Sequence, residues 1–154
     1  MGTGIVRIVG FGRPDRSDLA SAVLSAAAGF GASAVHVSPE GSAGFATMDQ
    51  GTLDWRVALD SAHWLVNSSS TVLEGDAPRG AWGASMAFAE LEGSRSVMVV
   101  GAPESPELLA EAWGSVIERI RQIHLLFFES DALGAIAELE GIEPDSLLSS
   151  VRDR

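Results

Sequence analysis

The chain has 154 residues, 46% of them hydrophobic and 20% charged, enough for one domain with a substantial core. Its formal charge of −11 disfavours a nucleic-acid backbone or an anionic membrane as partner, and its lack of cysteine excludes disulfides, thiolate metal sites and thiol nucleophiles. No apolar run reaches the roughly 20 residues of a membrane span, and the start, MGTGIVRIVG, lacks the zones of a signal peptide, so a cytoplasmic location is expected.

In chain order, a first strand is predicted over Ile5–Val9, followed by the turn Gly10-Phe11-Gly12-Arg13-Pro14. A helix capped by Ser17 runs to about Ala28, with Leu19, Val23, Leu24 and Ala27 on one stripe, and Gly29 and Gly31 end it. A second strand covers Ser33–Val37; Ser38–Thr52, rich in Gly and Ser, reads as loop. A short helix near Leu53–Asp60 leads into a strand at His63, which runs into the polar stretch Asn67–Thr71. Next come a helix over Ala77–Glu92 stopped by Gly93, and a strand Ser96–Val100 apolar enough to be buried on both faces. The helix Pro106–Gln122 carries the clearest stripe, with Ser105 as cap and Pro106 in its first turn. A last strand, Ile123–Phe128, precedes a helix capped by Ser130 and a final helix Pro144–Val151.

Strands alternating with helices predict a three-layer α/β/α domain built on a mainly parallel sheet of about five strands, Rossmann-like in its core. In such a sheet the site lies at the carboxyl ends of the strands. Asn67, Ser68, Ser69 and Ser70 sit at one such end, and their amide and hydroxyls suit a polyol, while nearby Glu74 and Asp76 disfavour a bare phosphate. His36 lies near the end of its own strand and joins them as a candidate ligand residue; His63 and His124 fall at strand starts, where structural roles are expected. The histidine spacing fits no metal pattern, and no G-x-S-x-G elbow is present. Gly10 and Gly12 lack the third glycine of a dinucleotide fingerprint, since Asp15 stands there, so a plain strand-to-helix turn is expected. The same turn lacks the hydroxyls of a flavin phosphate loop. Trp55, Trp64, Trp82 and Trp113 are assigned to packing, and Glu90, Glu92, Glu138, Glu140 and Glu143 to a solvated face.

From Leu53 onward, the segments LDWRVALDSAHWLVNSSSTVLEGDAPRGAWGASMAFAE and RSVMVVGAPESPELLAEAWGSVIERIRQIHLLFFESDALGAIAELEG resemble the ribokinase/PfkB-type sugar kinases, particularly the 2-keto-3-deoxygluconate kinase and fructokinase branch. The upstream GSAGFATMDQGTLDW is similar to that branch's Gly-Ser-Ala segment. The resemblance rests on the order and spacing of elements over about two thirds of the chain. It implies a ribokinase-like fold, a sugar or sugar acid as ligand, and ATP with magnesium in an active member. Where that family carries an Asp-x-Asn-x-Arg strand end, this chain has Val99, Val100, Gly101, Ala102 and Pro103. Where it carries a phosphate-side lysine and an Asn-x-x-Glu pair, this chain has Phe127, Glu129 and Ala132. The family's Gly-Ala-Gly-Asp loop, with its catalytic base, belongs to a later part of the fold than these 154 residues reach.

Phosphoryl transfer needs a cation on the phosphates, bound magnesium and a base. The expected function is therefore a single sugar-kinase-like domain that binds a sugar or sugar acid without phosphorylating it alone, and no cofactor or metal site is assigned. One alternative is half of a split kinase, using ATP and magnesium, completed by another chain. Another is an isomerase or lyase drawing on His36, Glu40, Asp49, Asn67, Ser69, Glu104 or Glu129. An unpaired edge strand favours association, so a homodimer or a complementing chain is the expected macromolecular partner.

Overall fold

The computed structural model describes residues 4–39 and 44–154. Five strands form one sheet: β1 (Arg7–Phe11), β2 (Ser33–Val37), β3 (Trp64–Ser68), β4 (Arg95–Val100) and β5 (Leu125–Phe128). Their order is β2-β1-β3-β4-β5, and every pairing is parallel. The helices are α1 (Leu19–Gly29), α2 (Trp55–Ala58), α3 (Asp76–Glu92), α4 (Pro106–Glu118), α5 (Ser130–Glu140) and α6 (Pro144–Arg152). The architecture is thus the expected α/β class with a parallel five-stranded sheet, consistent with a ribokinase-like fold.

Side-chain alternation sorts the sheet into two faces. On one, Val9, Phe11, Leu65, Met98 and Val100 join Trp55, Trp82, Trp113, Ile136 and Leu147 in the main core, which draws on α2 through α6. On the other, Val66, Val97 and Val99 pack with Ala20, Leu19 and Val23 of α1. Three of the four tryptophans are buried, and Trp64 sits under the Arg95 guanidinium, 5.7 Å from its ring centroid.

Several element ends differ from the sequence reading for local reasons. β1 begins and ends two residues later than predicted, because Gly10 and Phe11 continue the strand instead of opening a turn. Helix α1 is capped by Asp18, whose carboxylate accepts from Ser21 N, while the Ser17 hydroxyl donates to Asp15. Ser130 is the first residue of α5, not its cap. Helix α4 stops at Glu118 because Arg119 leaves helical geometry, and Ile120–Gln122 closes as a 3-10 turn. Ser105 caps α4 as expected, and the left-handed Gly93 ends α3. The loop predicted over residues 38–52 contains two 3-10 turns, Phe45–Thr47 and Gln50–Thr52.

Candidate functional site

The chain leaves β1 toward β2 on one side and returns to place β3 on the other. The carboxyl ends of β1 and β3 therefore border the point where strand order reverses, the usual ligand crevice of a doubly wound sheet. A cavity of about 340 Å³ opens there on the α1 side. Asp18 and Leu19 begin its wall, Ser69, Ser70 and Leu73 follow β3, Gly101 follows β4 and Glu129 follows β5.

Backbone hydrogen bonds fix two of these groups, Asp18 and Ser69. The Asp18 carboxylate accepts from Arg13 N at 2.7 Å and from Ser21 N at 2.8 Å, tying the β1 turn to the first turn of α1. A Cβ on Gly12 would overlap that carboxylate, so the glycine at this turn is set by Asp18 rather than by a phosphate. Gly101 N donates to Ser69 Oγ at 3.2 Å, which orients that hydroxyl across the ends of β3 and β4. Ser68 Oγ and Ser70 Oγ share a hydrogen bond of 2.8 Å. Beside the crevice, Arg13 Nη1 donates to both oxygens of Glu74, at 3.0 and 3.3 Å, linking the β1 turn to the segment after β3.

Of the residues singled out in the sequence, Ser69 and Ser70 line the crevice, and Ser68 lies buried behind them. Asn67 is fully buried on the opposite face of β3, where its Nδ2 donates to Ser85 Oγ of α3. His36 faces a separate cavity between α1 and β2. Burial holds its imidazole pKa below the usual value, the Arg16 cation adds to that, and Asp18 opposes it. His63 and His124 each accept a backbone N–H through Nδ1, from Arg7 and Ser96, a structural role at the strand starts. Among the other acid–base candidates, Glu129 reaches the crevice, Asp49 accepts from Gly51 N, and Glu40 lies outside the described residues. Asp18, Arg13 and Glu74 were not singled out as site residues; the spacing of Asp18 to Ser21 at a helix start was the available signal.

The crevice offers hydroxyls and carboxylates, and its neighbouring cation is committed to Glu74. Magnesium-ATP does not fit this set. The chain contains no lysine at all, its ten basic residues being arginines, and Phe127, at the lysine position of the resemblance, is an exposed apolar side chain. Among the described residues, no three histidine or carboxylate groups gather as metal ligands, and no helix is long and apolar enough to cross a membrane.

No protein-family model matches the chain, and no curated protein is similar enough to count as a match. Its fold is similar to the crystal structure of 2-dehydro-3-deoxygluconokinase from Thermotoga maritima, with a TM-score of 0.57 and 13% sequence identity. The likeness covers 84% of this chain and 61% of that one, so the similarity is one of fold.

Proposed function

We propose that this chain is a carbohydrate-kinase-like domain that binds a small polar ligand, a sugar or sugar acid, in the crevice at the strand ends, and that it transfers no phosphoryl group by itself. The observation carrying this reading is the cavity of about 340 Å³ at the reversal point of a sugar-kinase-like sheet, walled by Ser69, Ser70, Asp18 and Glu129, with no arginine in its lining among the described residues. Hydroxyls and carboxylates hydrogen-bond sugar hydroxyls, whereas a triphosphate would meet like charge. When the protein is mixed with magnesium-ATP and 2-keto-3-deoxygluconate or fructose, ADP release stays at background while the sugar raises the melting temperature. ADP release that scales with protein concentration would overturn the inactivity, and the absence of any sugar-dependent shift would overturn the binding.

A complementing chain is the second reading. Leu125 and Phe127 on β5 are 43% and 54% exposed, and no sixth strand pairs with β5 among the described residues. Such an edge and apolar face suit a further chain that would supply the missing charges.

A further inference from the structure

The crevice at the strand ends carries charge of one sign. Asp18 and Glu129 stand in its lining, and among the described residues no arginine or histidine joins them. Arg13, beside it, is bound to both oxygens of Glu74. Helix starts can receive anions, because their first N–H groups are unpaired. Here those starts already hold acids of the chain. Asp18 accepts the Ser21 N–H of α1, and α5 has Glu129 before it and Asp131 in its first turn. A sugar acid or phosphorylated sugar would meet two carboxylates without a countercharge, in a chain of formal charge −11.

The two carboxylates differ in what they have left to accept. Asp18 takes Arg13 N through one oxygen and Ser21 N through the other. Glu129 caps nothing with its side chain and makes no ion pair among the described residues. Its carboxylate lies over the end of β4. The point a Cβ of Gly101 would occupy is 3.1 Å from Glu129 Oε2 and 2.9 Å from Leu19 Cδ1, so a larger residue at 101 would crowd the carboxylate there. A donor is also unspent. Ser68 is fully buried, and its hydroxyl meets Ser70 Oγ at 2.8 Å. With the Ser68 hydrogen directed to Ser70 Oγ, the hydrogen of the partly exposed Ser70 is left for a ligand oxygen.

We propose that the crevice selects a cationic amino sugar over a neutral sugar, and a neutral sugar over a sugar acid, with the ligand ammonium bonded to Glu129 and a ligand hydroxyl oxygen accepting from Ser70. This rests on the reading of the crevice as a sugar site and adds the charge of the sugar it takes.

Isothermal titration calorimetry with glucosamine, glucose and glucuronate tests it, at about pH 6, where an amine is protonated. Glucosamine binds about tenfold more tightly than glucose, the difference between a charge-assisted and a neutral hydrogen bond. Glucuronate binds more weakly than glucose. Added salt shrinks the glucosamine advantage, because it screens charge. Glu129→Gln weakens glucosamine about tenfold more than it weakens glucose. Glu92→Gln removes the same charge from an exposed site outside the crevice and leaves the preference unchanged. If glucose binds and glucosamine binds no more tightly, or glucuronate binds as well as glucosamine, the charge selection is wrong while the sugar site stands. If both variants lower the preference equally, overall charge and not Glu129 draws the amine, and the proposal fails. If none of the three binds, the sugar site falls as well.

Discussion

A Cβ built on Gly10 would stand 2.6 Å from Leu24 Cδ1 and 2.9 Å from its Cγ, closer than packed side chains approach. Gly10 lies inside β1, paired with His36 on one side and Val66 on the other, so the strand cannot move away without disturbing two ladders. The absence of a side chain here lets α1 settle directly on the sheet. Gly10→Ala should therefore destabilise the fold by about 1–3 kcal/mol, the usual range for overpacking. Leu24→Ala alone should cost roughly 2–5 kcal/mol through its cavity. The double variant should cost clearly less than the two together, because each change makes room for the other. Urea midpoints of the four proteins measure this; strict additivity would show that Leu24 is not what limits position 10.

Among the elements, one carboxylate ties three helices. Glu140, the last residue of α5, accepts from Trp113 Nε1 of α4 at 2.8 Å and from the Arg154 guanidinium, just beyond α6, at 3.0 and 3.3 Å. The Arg154 hydrogen bonds hold its pKa below the ordinary glutamate value; partial burial opposes this and the Trp113 bond reinforces it. A carboxyl with a depressed folded-state pKa contributes stability that is complete above the unfolded value of 4.5 and is lost as pH falls through the folded one. Glu140→Gln should lower stability by roughly 1 kcal/mol at neutral pH, a figure discounted for the pair's solvent contact. It should also make stability less steep in acid than in the parent, which urea melts across the acidic range would show. In the sequence Glu140 was one of five acids assigned to a solvated face. Helical periodicity tells which side of its own helix a residue occupies, not that Trp113 and Arg154 arrive there from two other elements.

The same limit decided what else was legible. Strand and helix order could be read because Pro106 after Ser105, Gly93 after a helical stripe, and apolar runs such as Val97–Val100 act locally. Asn67 could not be assigned to a face, since an Asn-Ser run reads equally as loop. In fact the strand continues through Ser68, and its alternation sends Asn67 into the main core and Ser68 to the other side. The crevice position followed from topology, whereas Arg13, Asp18 and Glu74 meet only because two loops converge.

At the scale of the whole molecule the sheet is covered unequally. Five helices contribute to the main core on one face, while α1 alone covers the other among the described residues, packing on β1, β2 and β3 and against Val97 and Val99 of β4. Alternation on β5 makes this visible in adjacent residues. Phe128 points into the main core, its ring centroid 5.7 Å from that of Trp113, whereas Phe127 points to the other face and is 54% exposed. Phe128→Ser should cost about 3 kcal/mol or more, as loss of a large core side chain and burial of a hydroxyl both act against the fold. Phe127→Ser should stay within about 0.5 kcal/mol of the parent, the range of ordinary surface changes. Urea melts of the two variants at several protein concentrations decide the matter. If Phe127→Ser proves as costly as Phe128→Ser at every concentration, the β5 face is covered within one chain and the unequal layering is wrong. If the cost rises with concentration, a second copy covers it, because only association makes stability depend on how much protein is present.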